Sequence, residues 1–237
     1  MAEKKTAPAV TVDEHLKHIA FIMDGNGRWA VKRGMPRRFG HSYGAKKFKE
    51  IINYCGDIGI KYVTVYAFST ENWARPAAEV ESIMKLLDDY LDECEESLEK
   101  YDIRLRFIGD MSPFSENFRA RAASLEERSA KNRLSLNVAL NYGGRDELVH
   151  AFNQLAAAGK KTVTAEDISH ALYTDGIPDP DLIVRTAGEQ RLSNFLMWQS
   201  AYSEFYFTDT LWPDMTPHDV DLAVEEFYKR KRRFGKV

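Results

Sequence analysis

The chain has 237 residues, 44% hydrophobic and 29% charged, with a net charge of −3. That is one large domain or two small ones, long enough to bury a core, and its mild acidity excludes a general nucleic-acid binder. No apolar run approaches the roughly 18 residues of a membrane span, and two cysteines at no metal-ligand spacing, Cys55 and Cys94, read as reduced, half-buried fillers of a cytosolic protein.

The polar start "MAEKKTAPAV" has no signal-peptide core, so residues 1–14 read as a disordered tail ahead of a single domain over 15–237. The first strand, Ile19–Met23, ends on Asp24-Gly25-Asn26-Gly27-Arg28. Locally this tip has three readings. Asp-Gly and Asn-Gly are hairpin signals, but no alternating strand follows. Gly25-x-Gly27-x-x-Ala30 fits a dinucleotide fingerprint, yet bulky Trp29 sits inside the turn and the next strand tip arrives only near Ser69. The third reading is a metal and diphosphate site: glycines admit phosphate oxygens to backbone N–H groups, an arginine grips them and the aspartate holds Mg²⁺. The basic residues that follow, Lys32, Arg33, Arg37 and Arg38, suit a small anionic ligand; a second basic group, Lys229 to Arg233, reads equally well as a solvated face.

Further strands are expected at Tyr62–Phe68, Ile103–Ile108, Leu134–Leu140, Leu182–Val184 and Phe205–Phe207. Helices are expected at 44–57, 77–101, 115–131, 145–158, 165–173, 194–201 and 217–232. Such alternation predicts an α/β fold: a central, mainly parallel six-stranded sheet flanked by helices. The 77–101 helix carries Val80, Met84, Leu87, Leu91, Cys94, Leu98 and Tyr101 on one face, and Asp88, Asp89 and Asp92 in an acidic face that reads as solvated. In parallel sheets ligands sit beyond the carboxyl ends of the strands. Four strands end in polar residues there: Asp24–Arg28, Ser69–Arg75, Asn141–Arg145 and Arg185–Ser193. One polar tip is a turn; four on one rim make a site.

"HIAFIMDGNGRWA", "YAFSTENWARP", "NYGGRDEL" and "DLIVRTAGEQRLSNFLMWQSAYSEFYFTDTLWPD" together resemble the cis-prenyltransferases, in order, from about His18 to Gly235. The resemblance implies an apolar tunnel in an α/β fold, a homodimer, Mg²⁺, and repeated condensation of isopentenyl diphosphate onto farnesyl diphosphate with cis double bonds. The product it implies is a long polyprenyl diphosphate such as undecaprenyl diphosphate, a lipid-carrier precursor for peptidoglycan and cell-wall synthesis, made in the cytoplasm and handed to the membrane. Carried over by motif, Asp24 is the metal ligand and catalytic carboxylate, and Glu204 a second metal-associated carboxylate. Gly25, Asn26, Gly27 and Arg28 bind the allylic diphosphate at a helix start, with Arg37 and His41 extending the pocket and Trp29 lining it. Ser69, Thr70, Glu71, Asn72, Trp73 and Arg75 form a loop that positions the reacting centres, with Asn72 catalytic. Arg185, Arg191, Leu192 and Ser193 form the isopentenyl diphosphate site, and Arg233-Phe234-Gly235 completes that of the neighbouring subunit. The chain departs from the family pattern at Ala187-Gly188, where two glycines are common. A non-catalytic accessory subunit is the alternative, but such a subunit is expected to lose the strand-one aspartate.

Overall fold

The computed structural model describes residues 10–97 and 102–230. The calls on residues 1–9, on Leu98 and Tyr101 of the long helix, and on Arg233-Phe234-Gly235 lie outside the described residues. Six strands form one sheet: β1 (His18–Ile22), β2 (Tyr62–Ser69), β3 (Ile103–Ile108), β4 (Leu134–Tyr142), β5 (Leu182–Arg185) and β6 (Glu204–Phe207). Their order is β3-β4-β2-β1-β5-β6 and every pairing is parallel. The four strands whose tips carry the polar motifs, β4, β2, β1 and β5, are therefore four adjacent strands at the centre of the sheet.

Among the described residues seven helices accompany them: α1 (Asn26–Lys32), α2 (Arg37–Asp57), α3 (Ala77–Ser97), α4 (Glu116–Ser129), α5 (Gly144–Ala157), α6 (Ala165–Ala171) and α7 (Pro217–Lys229). All nine residues of β4 are buried, as in a parallel strand covered on both faces. Alternation along β1 sends Ile19 and Phe21 to the larger core, with Phe48, Ile51 and Ile52 of α2 and Ile83 and Leu91 of α3. Ala20 and Ile22 face a smaller core with Tyr142, Ile183 and Phe195.

Three expectations need correction. Helix α2 begins at Arg37, seven residues before the expected start, because Gly40 and Gly44 serve close packing there and do not break the helix. No helix spans 194–201; Ser193, Asn194 and Leu196 have φ of 49°, 65° and 46°, and only a 3₁₀ turn, Gln199–Tyr202, follows. The acidic face of α3 is not wholly solvated: Asp92 and Glu95 pair with Arg121 of α4, and Glu93 pairs with Lys49 of α2. Of the tail expected over 1–14, the described part is tied down, with the Val12 N–H on Ile58 O at 3.0 Å and Tyr228 donating to Asp13 at 2.9 Å.

At the opposite end of β1 from the polar rim, the ring of His18 lies buried between Pro178 O and Thr64 Oγ1, each 2.7 Å away. Burial pushes its pKa down to about 4 from 6.5. Between those values the unfolded chain binds the extra proton, so stability is present above pH 6.5 and is lost as pH falls toward 4, by about 3 kcal/mol in all. Urea midpoints measured from pH 7 to pH 4.5 are expected to fall, and His18→Gln to flatten that slope; an unchanged slope would reject the assignment to His18.

Candidate active site

The rim beyond β4, β2, β1 and β5 opens into a cleft of about 960 Å³. Asp24, Asn26, His41, Ser69, Glu71, Asn72, Arg75, Arg185, Arg191 and Ser193 line its polar part. The wall between α2, α3 and the sheet is mostly apolar, with Phe48, Val65, Val138, Ile83, Leu86, Leu87 and Tyr90, although Lys46, Lys49, Asp89 and Glu93 also line it. Phe48 and Tyr90 meet edge-on at 5.4 Å and also border a small neighbouring cavity of about 60 Å³. The apolar stripe of α3 thus covers a space that the strand faces leave open, and an anionic head with an apolar tail fits a cleft of this polarity.

Asp24 anchors the polar end. Its Oδ1 accepts from the Gly25 N–H at 2.6 Å and lies 3.3 Å from Arg28 Nη2, while its Oδ2 lies 3.1 Å from Arg185 Nη2. Thr186 Oγ1 donates to the Asp24 carbonyl at 2.7 Å. Arg185 is only 3% exposed and also donates to Arg191 O and, at 2.8 Å, to Ser193 Oγ. Arg28 donates to Ala187 O at 2.9 Å and lies 3.4 Å from Glu189, which also pairs with Arg191. The two arginine groups expected as separate clusters are therefore contiguous, with Asp24 and Glu189 between them. Three guanidiniums around two carboxylates leave a net positive site for a phosphate-bearing ligand.

The turn geometry explains why these side chains converge. Gly25 has φ of 102°, and a Cβ there would lie 2.8 Å from Leu211 and 3.0 Å from Ala187, so only glycine fits. Helix α1 starts behind it without a side-chain cap, which leaves its first N–H groups for an anion. Ala187 itself takes φ of 73°, a left-handed strain that the usual glycine would avoid, and its N–H is held by Thr210 O at 2.8 Å.

On the β2 side, Ser69 N–H donates to Asn72 Oδ1 at 3.2 Å within a 3₁₀ turn, Thr70–Ala74. Arg75 bridges to Glu79 at 3.0 Å, and His41 Nε2 lies 3.7 Å from the same carboxylate. Burial, helped by the charge of Arg75, pushes the His41 pKa down, so the imidazole is neutral at pH 7. Gly27 and Arg37 lie against each other, a Cβ on Gly27 meeting the Arg37 guanidinium at 3.3 Å, but neither lines the cleft.

Other expected site residues sit elsewhere. Trp29 does not line the cleft: its indole donates to Asp214 at 2.6 Å and its ring packs against Tyr43 at 4.6 Å, so it fastens α1 to the chain before α7. Trp73 donates to Asn141 at 2.8 Å and packs edge-on against Phe68, Thr70 donates to Asp146 at 3.1 Å, and Leu192 packs in the smaller core. Glu204 opens β6 opposite Leu182, three residues before the position opposite Arg185. Along a strand that is roughly 10 Å back from the rim, and Arg230 holds its carboxylate at 2.8 Å. Within one chain it is not brought to Asp24. Thr186 and Glu189 lie within the polar tip Arg185–Ser193 without a role marked for either, and Asn194, which also lines the cleft, has no spacing that marks it.

Asp24 is the carboxylate at the polar end of the cleft that would hold a divalent cation beside a bound phosphate. Mg²⁺ is usually held by one or two carboxylates together with substrate phosphates, and the cleft pairs one such carboxylate with a phosphate-suited surface. Asn26 Oδ1, on the same wall, is buried and has no hydrogen-bond partner. Among the described residues no group of three or more His, Cys, Asp or Glu forms a preassembled cage.

The family model described as putative undecaprenyl diphosphate synthase matches residues 22–235. An isoprenyl transferase of Fusobacterium nucleatum is 50% identical over 93% of this chain and 96% of its own length. One of Wolinella succinogenes is 48% identical over 94% and 97%. Among solved structures, lavandulyl diphosphate synthase from Lavandula x intermedia, in complex with dimethylallyl diphosphate, superposes with a TM-score of 0.89 at 35% identity, over 94% of this chain and all of that one. A probable undecaprenyl diphosphate synthase from Campylobacter jejuni gives 0.79 at 37% identity, over 95% and 100%.

Proposed function

The chain belongs to the cis-prenyltransferase family, among relatives described as isoprenyl transferases and as a probable undecaprenyl diphosphate synthase, and from that premise we propose that it extends an allylic diphosphate, farnesyl diphosphate by preference, with successive isopentenyl diphosphate units in cis. One observation carries this reading: Asp24, Arg185 and Arg191, tied to Arg28 and Glu189, line a cleft whose wall between α2, α3 and the sheet is mostly apolar. At about 960 Å³ the cleft lies at the top of the usual range for small-molecule pockets, about 300–1,000 Å³.

Gly25 and the start of α1 take the allylic diphosphate, with Arg28 against its oxygens; Arg185, Arg191 and Ser193 take the second diphosphate. Holding both in register converts a bimolecular encounter into a local one. As the allylic C–O bond breaks, charge develops on the departing diphosphate, where Arg28 is already placed. Mg²⁺, held by Asp24 and the diphosphate, would neutralise more of that charge when bound. Asn72, its Oδ1 engaged by the Ser69 N–H, presents its amide from the cleft wall. The growing chain passes between α2, α3 and the sheet, toward Phe48 and Tyr90.

Asp24, Arg28 and Asn72 standing together at this cleft speak against an accessory subunit. The exposed Val149, Phe152, Met197, Tyr202 and Phe207 support a homodimer, testable by sedimentation. Among the described residues no helix is long and apolar enough to cross a membrane; a cytoplasmic enzyme that hands its product to the membrane for cell-wall synthesis is part of the same proposal. Incubation with radiolabelled isopentenyl diphosphate, farnesyl diphosphate and Mg²⁺, read by product chromatography, tests the function; no extended product with any allylic primer would reject it.

Arg191 tests the division of the two subsites. Its side chain is exposed and, among the described residues, pairs with Glu189. Arg191→Ala is expected to raise KM for isopentenyl diphosphate roughly ten- to a hundredfold, the equivalent of about 1.5–3 kcal/mol for one charge-assisted contact. KM for the allylic substrate should stay within about threefold of wild type. The reverse pattern would show that the subsites are exchanged.

A further inference from the structure

Loops from three strand tips converge on Asn194, a side chain that the condensation itself does not require. The Asn194 backbone carbonyl accepts the Gly144 N–H at 2.6 Å, and its Oδ1 accepts the Arg145 N–H at 2.8 Å, both at the start of α5 behind β4. Its Nδ2 donates to Glu71 Oε1 at 3.0 Å, in the 3₁₀ turn behind β2. The residue before it, Ser193, accepts Arg185 Nη1 at 2.8 Å, and Arg185 reaches Asp24 at 3.1 Å. One path of hydrogen bonds thus runs from Glu71 through a single peptide to the carboxylate at the centre of the site.

The backbone there is strained, with three left-handed non-glycine residues within four positions, Ser193, Asn194 and Leu196. Such conformations persist only where surrounding bonds over-determine them, and they gather at ligand clamps. Asn tolerates the left-handed region better than other side chains, and it both donates and accepts. Aspartate at this position would have no donor for Glu71; glycine would keep the backbone and lose both side-chain bonds. The approach is close: a Cβ on Gly143 would lie 2.7 Å from Asn194 Nδ2 and 2.7 Å from Thr70 Oγ1. Glu71 stays charged in this setting. Burial opposes its ionisation, but hydrogen bonds from its own backbone, from Asn194 and from the Ser69 and Thr70 hydroxyls outweigh it and lower its pKa.

We infer that Asn194 is a positioning residue that locks the Thr70–Ala74 turn to the Arg185–Ser193 anion cluster, fixing Asn72 in register with the second diphosphate. The inference rests on the two-diphosphate reading above, and its test separates the two.

Asn194→Gly, which retains the backbone conformation, should leave the melting temperature within a few degrees of wild type. It should lower kcat/KM for isopentenyl diphosphate at least about tenfold while KM for the allylic substrate stays within about twofold. Asn194→Asp keeps an acceptor for Arg145 but sets a carboxylate against Glu71, and should cost more. In a Glu71→Gln background the glutamine amide can donate to the new aspartate, so there Asn194→Asp should cost no more than about threefold. Equal cost in both backgrounds, or an Asn194→Gly enzyme with unchanged isopentenyl diphosphate kinetics, would overturn the inference. Wild-type protein that makes no product would defeat the functional reading instead. The same four-protein cycle, wild type, each single variant and the double variant, is then read as isopentenyl diphosphate affinity by calorimetry, where absence of coupling again overturns the role of Asn194.

Discussion

Asp24→Asn is expected to remain folded and to lose turnover by about a hundred- to a thousandfold, the scale at which one preorganised charge contact acts on a transition state. The asparagine can still accept the Gly25 N–H through Oδ1, so the tight turn with φ of 102° survives. Its amide nitrogen then faces Arg185 Nη2, where Oδ2 now lies 3.1 Å away, and donor meets donor. Arg185, 3% exposed, keeps Arg191 O and Ser193 Oγ, so the stability loss should stay near the cost of one lost partner, about 1–3 kcal/mol. Binding supplies a second reading. Without metal, removing a negative charge beside the allylic diphosphate should leave its affinity unchanged or raise it, whereas the gain from added Mg²⁺ should vanish. Calorimetry with and without Mg²⁺, beside product chromatography, checks both. Wild-type turnover in this variant would remove Asp24 from the mechanism. Asp24→Ala is a blunter form of the same test, because it also takes away the acceptor for the Gly25 N–H.

The legible part of this site was the part written as interruptions. Apolar, β-branched runs that stop at Asp24, Ser69, Asn141 and Arg185 mark strand ends, and the rule for parallel sheets places those ends on one rim. The sheet order then makes them neighbours, which the runs themselves could not convey. What stayed hidden was written in backbone conformation. The helix expected over 194–201 fails because Ser193, Asn194 and Leu196 are left-handed, and no composition signal announces that. The same blindness hid Asn194, whose role comes from the carbonyls and carboxylates that three separate loops bring to it. Trp29 misled for a different reason. Its place in the pocket is implied by the resemblance alone, and Asp214, 185 positions away, accepts its indole N–H. Glu204 lies close to the rim motifs in sequence but opens its strand, and in a parallel sheet that puts it toward the opposite edge.

Gly40 is expected to be the most sensitive position outside the polar rim, although it touches no candidate ligand. It lies within α2, where a Cβ would stand 1.9 Å from Asn26 O and 2.6 Å from Asn26 C. These are backbone atoms of the first residue of α1, so no rotamer change relieves the clash, and α1 must retreat by more than an ångström. Alanine gains about 1 kcal/mol of helix propensity over glycine, but overpacking against backbone costs about 1–3 kcal/mol or more, so the net effect is destabilising. The functional effect should be larger, because the retreat carries Gly25 and Arg28 with it. A misplacement of about 1 Å can cost roughly a hundredfold in rate, and Gly40→Ala should lose about that much kcat/KM for the allylic substrate. Gly56→Ala supplies the contrast within the same helix. Its Cβ would meet only Leu134 Cδ2, at 3.2 Å, the far end of a side chain that can turn aside. That variant should stay within about 1 kcal/mol of wild type in urea and keep full activity. Urea denaturation and steady-state kinetics on the pair decide the matter. If the two alanines behave alike, the close approach of α2 to the turn after β1 is not what holds the diphosphate loop in place.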